Sequence, residues 1–335
     1  AGLDRGNKGT NYILRKPHEK KEGWLHRVFS RKPPQYTVTI HERDESGARA
    51  LSELRDRGIN DVAHALARSA DHILGFFARL RTELAFYAGC LNLQERLARL
   101  GGPLSFPVPE APGERRHSCR GLYDACLALT LERSVVGNDM DADGKSLVIV
   151  TGANQGGKTV FLRSIGLAQL MMQCGMFVPA RSFRSGVCHG LFTHFKREED
   201  PAMKSGKLDE ELARMSAIAD RITSNAMVLF NESFAATNER EGSEIAGQIT
   251  RALVERGIRV FFVTHLYTFA RGLYDGRTGG TLFLRAERQA DGGRTFRMIE
   301  GEPLQTAYGE DLYYGIFGKS RAGKETRPVA PAPEK

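Results

Sequence analysis

Residues 152–159 read Gly-Ala-Asn-Gln-Gly-Gly-Lys-Thr and have the spacing G-x-x-x-x-G-K-T. Glycines at Gly152, Gly156 and Gly157 let the N–H groups of the loop, those of Ala153, Asn154 and Gln155 included, turn inward onto phosphate oxygens. Lys158 then brings a point charge to the β and γ positions, and the Thr159 hydroxyl is placed for Mg²⁺. A second run, Met227 to Glu232 (MVLFNE), ends in polar groups after four apolar residues. Phosphate-cleaving sites of this kind need such a strand to deliver groups to metal and water. Glu232 is expected to orient or deprotonate water, and Asn231 stands on the metal side, where an aspartate is usual. A third apolar run ends in Thr264-His265, and a histidine there can donate to the γ-phosphate or the water. Ser205-Gly206-Lys207 opens a helical pattern whose serine and free N–H groups suit an anion, although Ser205 or Asp209 acting simply as a cap explains the same residues.

These groups must be carried by elements, and the patterning supplies them. Apolar runs at 147–150, 227–230, 260–263 and 281–284 alternate with helical stretches from residue 146 onward. That alternation predicts an α/β fold: a mostly parallel sheet with helices on both faces. The runs at 281–284 and 295–299 flank Gly292-Gly293 and are expected to pair as an antiparallel edge. Earlier in the chain, Val62, Leu66, Ala70, Ile73, Phe77, Leu80, Leu84, Tyr87 and Leu91 recur at three- and four-residue steps. They predict one long amphipathic helix over 60–99, ended by Gly101-Gly102-Pro103, acting as a strut between parts or against a partner. Tyr36 to Ile40 reads as a short strand.

Composition bounds the rest. A chain of 335 residues, 41% hydrophobic and 26% charged, can bury a substantial core. Its five cysteines are scattered, odd in number and never in C-x-x-C spacing, so a disulfide framework or zinc knuckle is not expected and a reducing, cytoplasmic setting is. No stretch is long and apolar enough for a membrane span. Much of the net charge of +8 sits before residue 40, where nine basic residues face three acidic ones. Such an arm suits a phosphate backbone, or is simply solvated charge.

The loop TGANQGGKT with FLRSIGLAQLMMQCGMFVPA after it, the Ser205-Gly206-Lys207 helix, Asn231-Glu232, Thr237 to Gly242 (TNEREG), Thr264-His265 and Thr306 to Leu312 (TAYGEDL) resemble, in order and spacing, the MutS family of mismatch-repair ATPases, of the ABC-type ATPase class. The resemblance implies a P-loop NTPase fold with ATP and Mg²⁺ as cofactors, preceded by a long-helix all-α region. It divides the chain into a basic arm (1–40), a helical lever- or core-like region (41–133), an ATPase domain (134–318) and a disordered tail (319–335). It implies a head-to-tail homodimer in which Ser205 completes the partner's site in trans. Lys158, Thr159, Glu232 and His265 take the roles of Walker A lysine, metal-side hydroxyl, catalytic glutamate and switch histidine.

The sequence departs from the family pattern at several points. Asn231 replaces the Walker B aspartate, Leu208-Asp209-Glu210 stands where S-T-F is usual, and Ser233 to Ala236 replaces a glycine- and arginine-containing loop. The adenine-stacking aromatic has no closer counterpart than Val135, ahead of Asn138, so ring stacking is expected to be lost. The F-x-E wedge that kinks mismatched DNA is absent, the one F-x-E being Phe230 to Glu232. Two functions follow: an ATP-hydrolysing repair or recombination protein whose nucleotide state sets dimer geometry and its grip on DNA, assisted by repair partner proteins, or a nucleotide-dependent scaffold of weak hydrolysis acting through protein partners.

Overall fold

The structure is a computed structural model that describes residues 2, 3, 9, 10 and 44–305, apart from 197–205, 278 and 290–292. The expected strand at 36–40, most of the basic arm, Ser205, the TAYGEDL motif and the tail lie outside the described residues. Contacts divide the chain into residues 1–83 and 84–335. In the first unit, β1 (Gly2–Leu3) pairs antiparallel with β2 (Gly9–Thr10).

Helix α1 (Glu45–Arg99) starts fifteen residues before the apolar pattern had placed it. Asp44 explains the start: its carboxylate accepts from Gly47 N at 2.9 Å and from Ser46 Oγ at 2.7 Å, filling the N-cap position. The following turns are rich in Ala, Leu, Glu and Arg, so the single Gly58, at about 1 kcal/mol, does not break them. Most of the apolar stripe, Leu66, Ile73, Phe77, Leu84 and Leu91 among it, is exposed, and Leu97 is the one helical residue fully buried.

In the second unit a six-stranded sheet runs in the order β12-β11-β6-β10-β9-β8. Its strands are β6 (Leu147–Thr151), β8 (Leu191–Phe195), β9 (Met227–Asn231), β10 (Arg259–Val263), β11 (Thr281–Arg288) and β12 (Arg294–Glu300). All neighbouring pairs are parallel except β11 with β12, which forms the expected antiparallel edge. Alternation of side chains sends Val148, Val150, Leu229, Phe261 and Val263 to one face, against Phe161, Leu162 and Ile165 of α3 (Lys158–Gln173). Leu147, Ile149, Val228, Phe230, Val260 and Phe262 go to the other, against Met215 of α4 (Lys207–Ala219), Ala246 and Leu253 of α5 (Glu239–Glu255) and Phe269 of α6 (Tyr267–Asp275). Burial on both faces explains why these strands are continuous apolar runs.

A second sheet, ordered β3-β7-β4-β5, is mixed and was not anticipated. It joins β3 (Val108–Glu110), β4 (His117–Leu122), β5 (Asn138–Asp141) and β7 (Ser182–Gly186), with the short α2 (Ala125–Leu131) after β4. Within the region 41–133 expected to be helical, residues 108–110, in the stretch read as a loop through Gly113, and residues 117–122 pair as strands, while 125–131 is helix. The sheet's inward side chains Cys119, Leu122 and Phe183 share one core with α3 and Leu97.

Candidate functional site

Strand β6 delivers the P-loop from the middle of the large sheet. Gly152 (φ 110°) and Gly157 (φ 90°) take left-handed backbone that side chains disfavour, and a Cβ on Gly156 would lie 2.7 Å from the Ala286 Cβ. Gly157 leads into α3, whose first residue is Lys158. Lys158 is buried, and its Nζ donates to the carbonyls of Gly152 (2.8 Å) and Ala153 (2.9 Å). Burial pulls its pKa down to about 8, against the opposing pull of Glu232. At the next residue of the helix, Thr159 Oγ1 donates to Asn231 Oδ1 at 2.9 Å.

Asn231 closes β9, and Glu232 follows with φ 55°, anchored by its N–H on the Val263 carbonyl at 2.9 Å. Its carboxylate meets His265 Nε2 at 2.8 Å. That hydrogen bond holds the Glu232 carboxyl below the ordinary range, with burial opposing and the charges of His265, Lys158 and Lys196 assisting. The carboxyl ends of β6, β9 and β10 thus bring Lys158, Thr159, Asn231, Glu232 and His265 together. Ser233 and Phe234 (φ 63°) continue the loop. Ser233 Oγ donates to the His194 carbonyl at 2.7 Å, and Phe234 N donates to Glu211 of α4 at 2.7 Å. Gly242 of the TNEREG motif has its physical reason here: a Cβ would stand 2.4 Å from the Phe234 carbonyl.

A cavity of about 570 Å³ opens over the loop, lined by Asn154, Gln155, Gly157, Lys158, Thr159 and Glu232 together with Val135, Asn138 and Phe296. Asn138 is committed elsewhere: its Oδ1 accepts from Met298 N (2.7 Å) and its Nδ2 donates to the Phe296 carbonyl (3.3 Å). Phe296 is an aromatic ring at the cavity that the sequence reading missed. It sits at φ 59° and remains 47% exposed, with its Cβ 3.7 Å or less from the place a Gly157 side chain would take. Its signal was an aromatic flanked by polar residues on an edge strand, which patterning alone does not separate from a surface ring. Arg294 of the same strand donates to Gln155 Oε1 at 2.6 Å, fixing the loop from outside.

Hard oxygen donors suit Mg²⁺, and the Thr159 hydroxyl and Asn231 amide oxygen supply two neutral ones beside the Glu232 carboxylate. A glycine cradle, a buried lysine and a neighbouring cavity suit a nucleoside triphosphate.

Comparison with known proteins agrees with this geometry. The MutS2 N-terminal domain matches residues 1–100 and MutS domain V matches residues 148–309, together well over half of the sequence. The chain belongs to the MutS family. It is 32% identical over 187 residues to the DNA mismatch repair protein MutS of Thermotoga neapolitana, covering 55% of this chain and 23% of that protein. To the endonuclease MutS2 of Lacticaseibacillus paracasei it is 32% identical over 293 residues, 86% of this chain and 34% of that protein. The sequence given thus spans about a third or less of these MutS relatives. Among the described residues no helix is long and apolar enough to cross a membrane.

Proposed function

We propose that the cavity over residues 152–159 binds ATP with Mg²⁺ and hydrolyses it. The observation that carries the reading is the convergence, at the carboxyl ends of three parallel strands, of Lys158, the Thr159–Asn231 pair and the Glu232–His265 pair. In this reading the loop N–H groups and Lys158 hold the β- and γ-phosphates. Thr159 and Asn231 would hold Mg²⁺, which would supply positive charge to offset that developing on the phosphates. Glu232, ionised at neutral pH, accepts a proton from the attacking water, and His265 orients the Glu232 carboxylate. Phe296 stacks on the base in place of the ring missing near Val135, while Asn138 holds the strand that carries it.

The MutS relatives are named for DNA mismatch repair, and we carry a DNA-repair role to this chain: nucleotide state sets the geometry of a homodimer and with it the hold on DNA. Ser205 completes the partner's site, Gly206 and Lys207 opening α4 beside it. Binding through the basic arm is expected to be electrostatic and insensitive to mismatches. Repair partner proteins and a cytoplasmic setting belong to the same reading. Asn231 favours a second reading, a scaffold that binds ATP and hydrolyses it slowly. Measuring ATP turnover with and without duplex, mismatched and branched DNA separates the two: turnover stimulated by DNA supports the first, and tight binding with negligible turnover under every condition supports the second. Sedimentation with a nonhydrolysable ATP analogue tests the dimer, and a strict monomer at micromolar concentration rejects the trans role of Ser205.

A further inference from the structure

The large sheet has a second concave end, away from the P-loop. There the amino ends of β6, β9 and β10 join the loop 113–115 and the turn 186–188 around a cavity of about 130 Å³. Three cations line it, Arg115, Lys145 and Arg259, against one carboxylate, Glu114. Arg259 opens β10, and its Nη1 donates to the Arg116 carbonyl at 2.9 Å. The nearby Asp143 carboxylate is already taken by Arg116 Nη1 (2.9 Å) and His117 N (2.8 Å). Among the described residues no carboxylate forms an ion pair with Arg259. Burial depresses its pKa to about 10, with the charge of Asp143 opposing and that of Arg115 assisting. An independent observation points the same way. Ser146 is among the residues lining this cavity; it is only 5% exposed, and its buried hydroxyl has no hydrogen-bond partner. Buried hydroxyls are ordinarily satisfied, so one beside an unpaired cation marks a missing acceptor.

We propose that this cavity binds a phosphate-type oxyanion, held by Arg259 and Lys145 and by a hydrogen bond from Ser146 Oγ. A guanidinium offers parallel donors to such a group, Lys145 a second charge, and the hydroxyl a neutral donor. The group is either inorganic phosphate or the terminal phosphate of a polynucleotide strand. The inference does not rest on the P-loop reading, and its test keeps the two apart.

Isothermal titration of the whole 335-residue chain with inorganic phosphate is compared in Lys158→Ala, Arg259→Gln, Lys145→Gln and Ser146→Ala, each checked for folding by circular dichroism. Lys158→Ala should retain one phosphate site, and combining it with Arg259→Gln or Lys145→Gln should weaken that site at least about tenfold, as expected for loss of a charged partner. Adding Ser146→Ala instead should weaken it about threefold to tenfold, and this mild change stands in if Arg259→Gln does not fold. A second titration uses a short single strand with or without a 5′-phosphate. A preference for the phosphorylated strand that Lys145→Gln abolishes and Ser146→Ala weakens assigns the polynucleotide end; phosphate binding without that preference assigns the free ion. The proposal is overturned if Lys158→Ala removes all saturable phosphate binding, or if the three cavity substitutions leave it unchanged.

Discussion

Thr159 Oγ1 and Asn231 Oδ1 are joined at 2.9 Å, tying the first turn of α3 to the last residue of β9. Both oxygens are neutral where a metal-side carboxylate is usual, so a cation held between them loses one full charge of attraction. Asn231→Asp should therefore lower the magnesium concentration for half-maximal ATP turnover, by about tenfold for one added carboxylate contact. Turnover measured across a magnesium series checks this, and an unchanged series removes Asn231 from the metal site.

Lys158→Ala takes away the buried ammonium that bonds the Gly152 and Ala153 carbonyls. A charged hydrogen bond contributes about 1.5 to 3 kcal/mol, so nucleotide affinity should fall roughly tenfold to a hundredfold and turnover should vanish. Titration with a fluorescent ATP analogue reads the affinity. Preserved binding and hydrolysis would remove the P-loop from the chemistry.

The Glu232–His265 hydrogen bond has a pH signature. Because it holds the Glu232 pKa below 4.5, the carboxylate stays ionised until pH falls below that value. Its stabilising contribution is thus present above the ordinary carboxylate pKa and lost as acid protonates it below. His265→Gln should move the acid limb of kcat toward higher pH, and Glu232→Gln should trap bound ATP with no turnover. A pH–rate profile that His265→Gln leaves in place would separate His265 from the carboxylate.

Phe296 combines an exposed ring with a left-handed backbone, so ring and conformation can be tested apart. Phe296→Ala should weaken ATP binding about fivefold to thirtyfold, within the ~1 to 3 kcal/mol of base stacking on an aromatic ring, whereas Phe296→Trp should preserve it. Equal affinities for ATP in Phe296→Ala and the parent chain would leave the base without this contact.

The P-loop and the apolar strands of the large sheet were legible because burial on both faces makes each a short run of Val, Ile, Leu and Phe. The pairing of the last two strands was legible from two short strand-like runs with glycines between them, although neither is buried on both faces. The smaller sheet was not. Its strands read VPE, HSCRGL, NDMD and SFRSG, almost without β-branched residues, and tertiary contacts rather than propensity decide them. Phe296 was missed because nothing local says that an edge-strand ring faces a loop more than a hundred residues earlier. Asn138, singled out as a nucleotide contact, lines the cavity, and its amide also bonds the backbone of β12. The start of α1 was misjudged because an Asp44 cap and good helix formers extend a helix whose apolar stripe begins later.

Glu211 carries a fourth kind of test, since it is 1% exposed and its carboxylate accepts from Phe234 N. Glu211→Ala strands that N–H and should cost about 1 to 3 kcal/mol of stability. Desolvation raises its pKa above the ordinary 4.5, so the folded state binds a proton more readily than the unfolded one. Stability from this group is full below 4.5 and declines as pH rises through the raised value, and Glu211→Gln should flatten that decline. Urea midpoints across pH 4 to 7, in about half-unit steps, read the effect.

The bonds from Asn138 to Phe296 and Met298 span 158 and 160 residues of chain. They fasten β5, near the start of the second unit, to β12, the last strand described. Contacts so distant in sequence form slowly, because their loop entropy must be overcome before they contribute anything. Strands β8, β9 and β10 can pair in turn as they emerge, whereas β6 waits for β10, and β5 cannot be clasped to β12 until Met298 has left the ribosome. The ring and the cavity wall that depend on this clasp are therefore among the last parts of the protein to form, and a chain truncated before β12 should hold its central strands while lacking a finished pocket for the base.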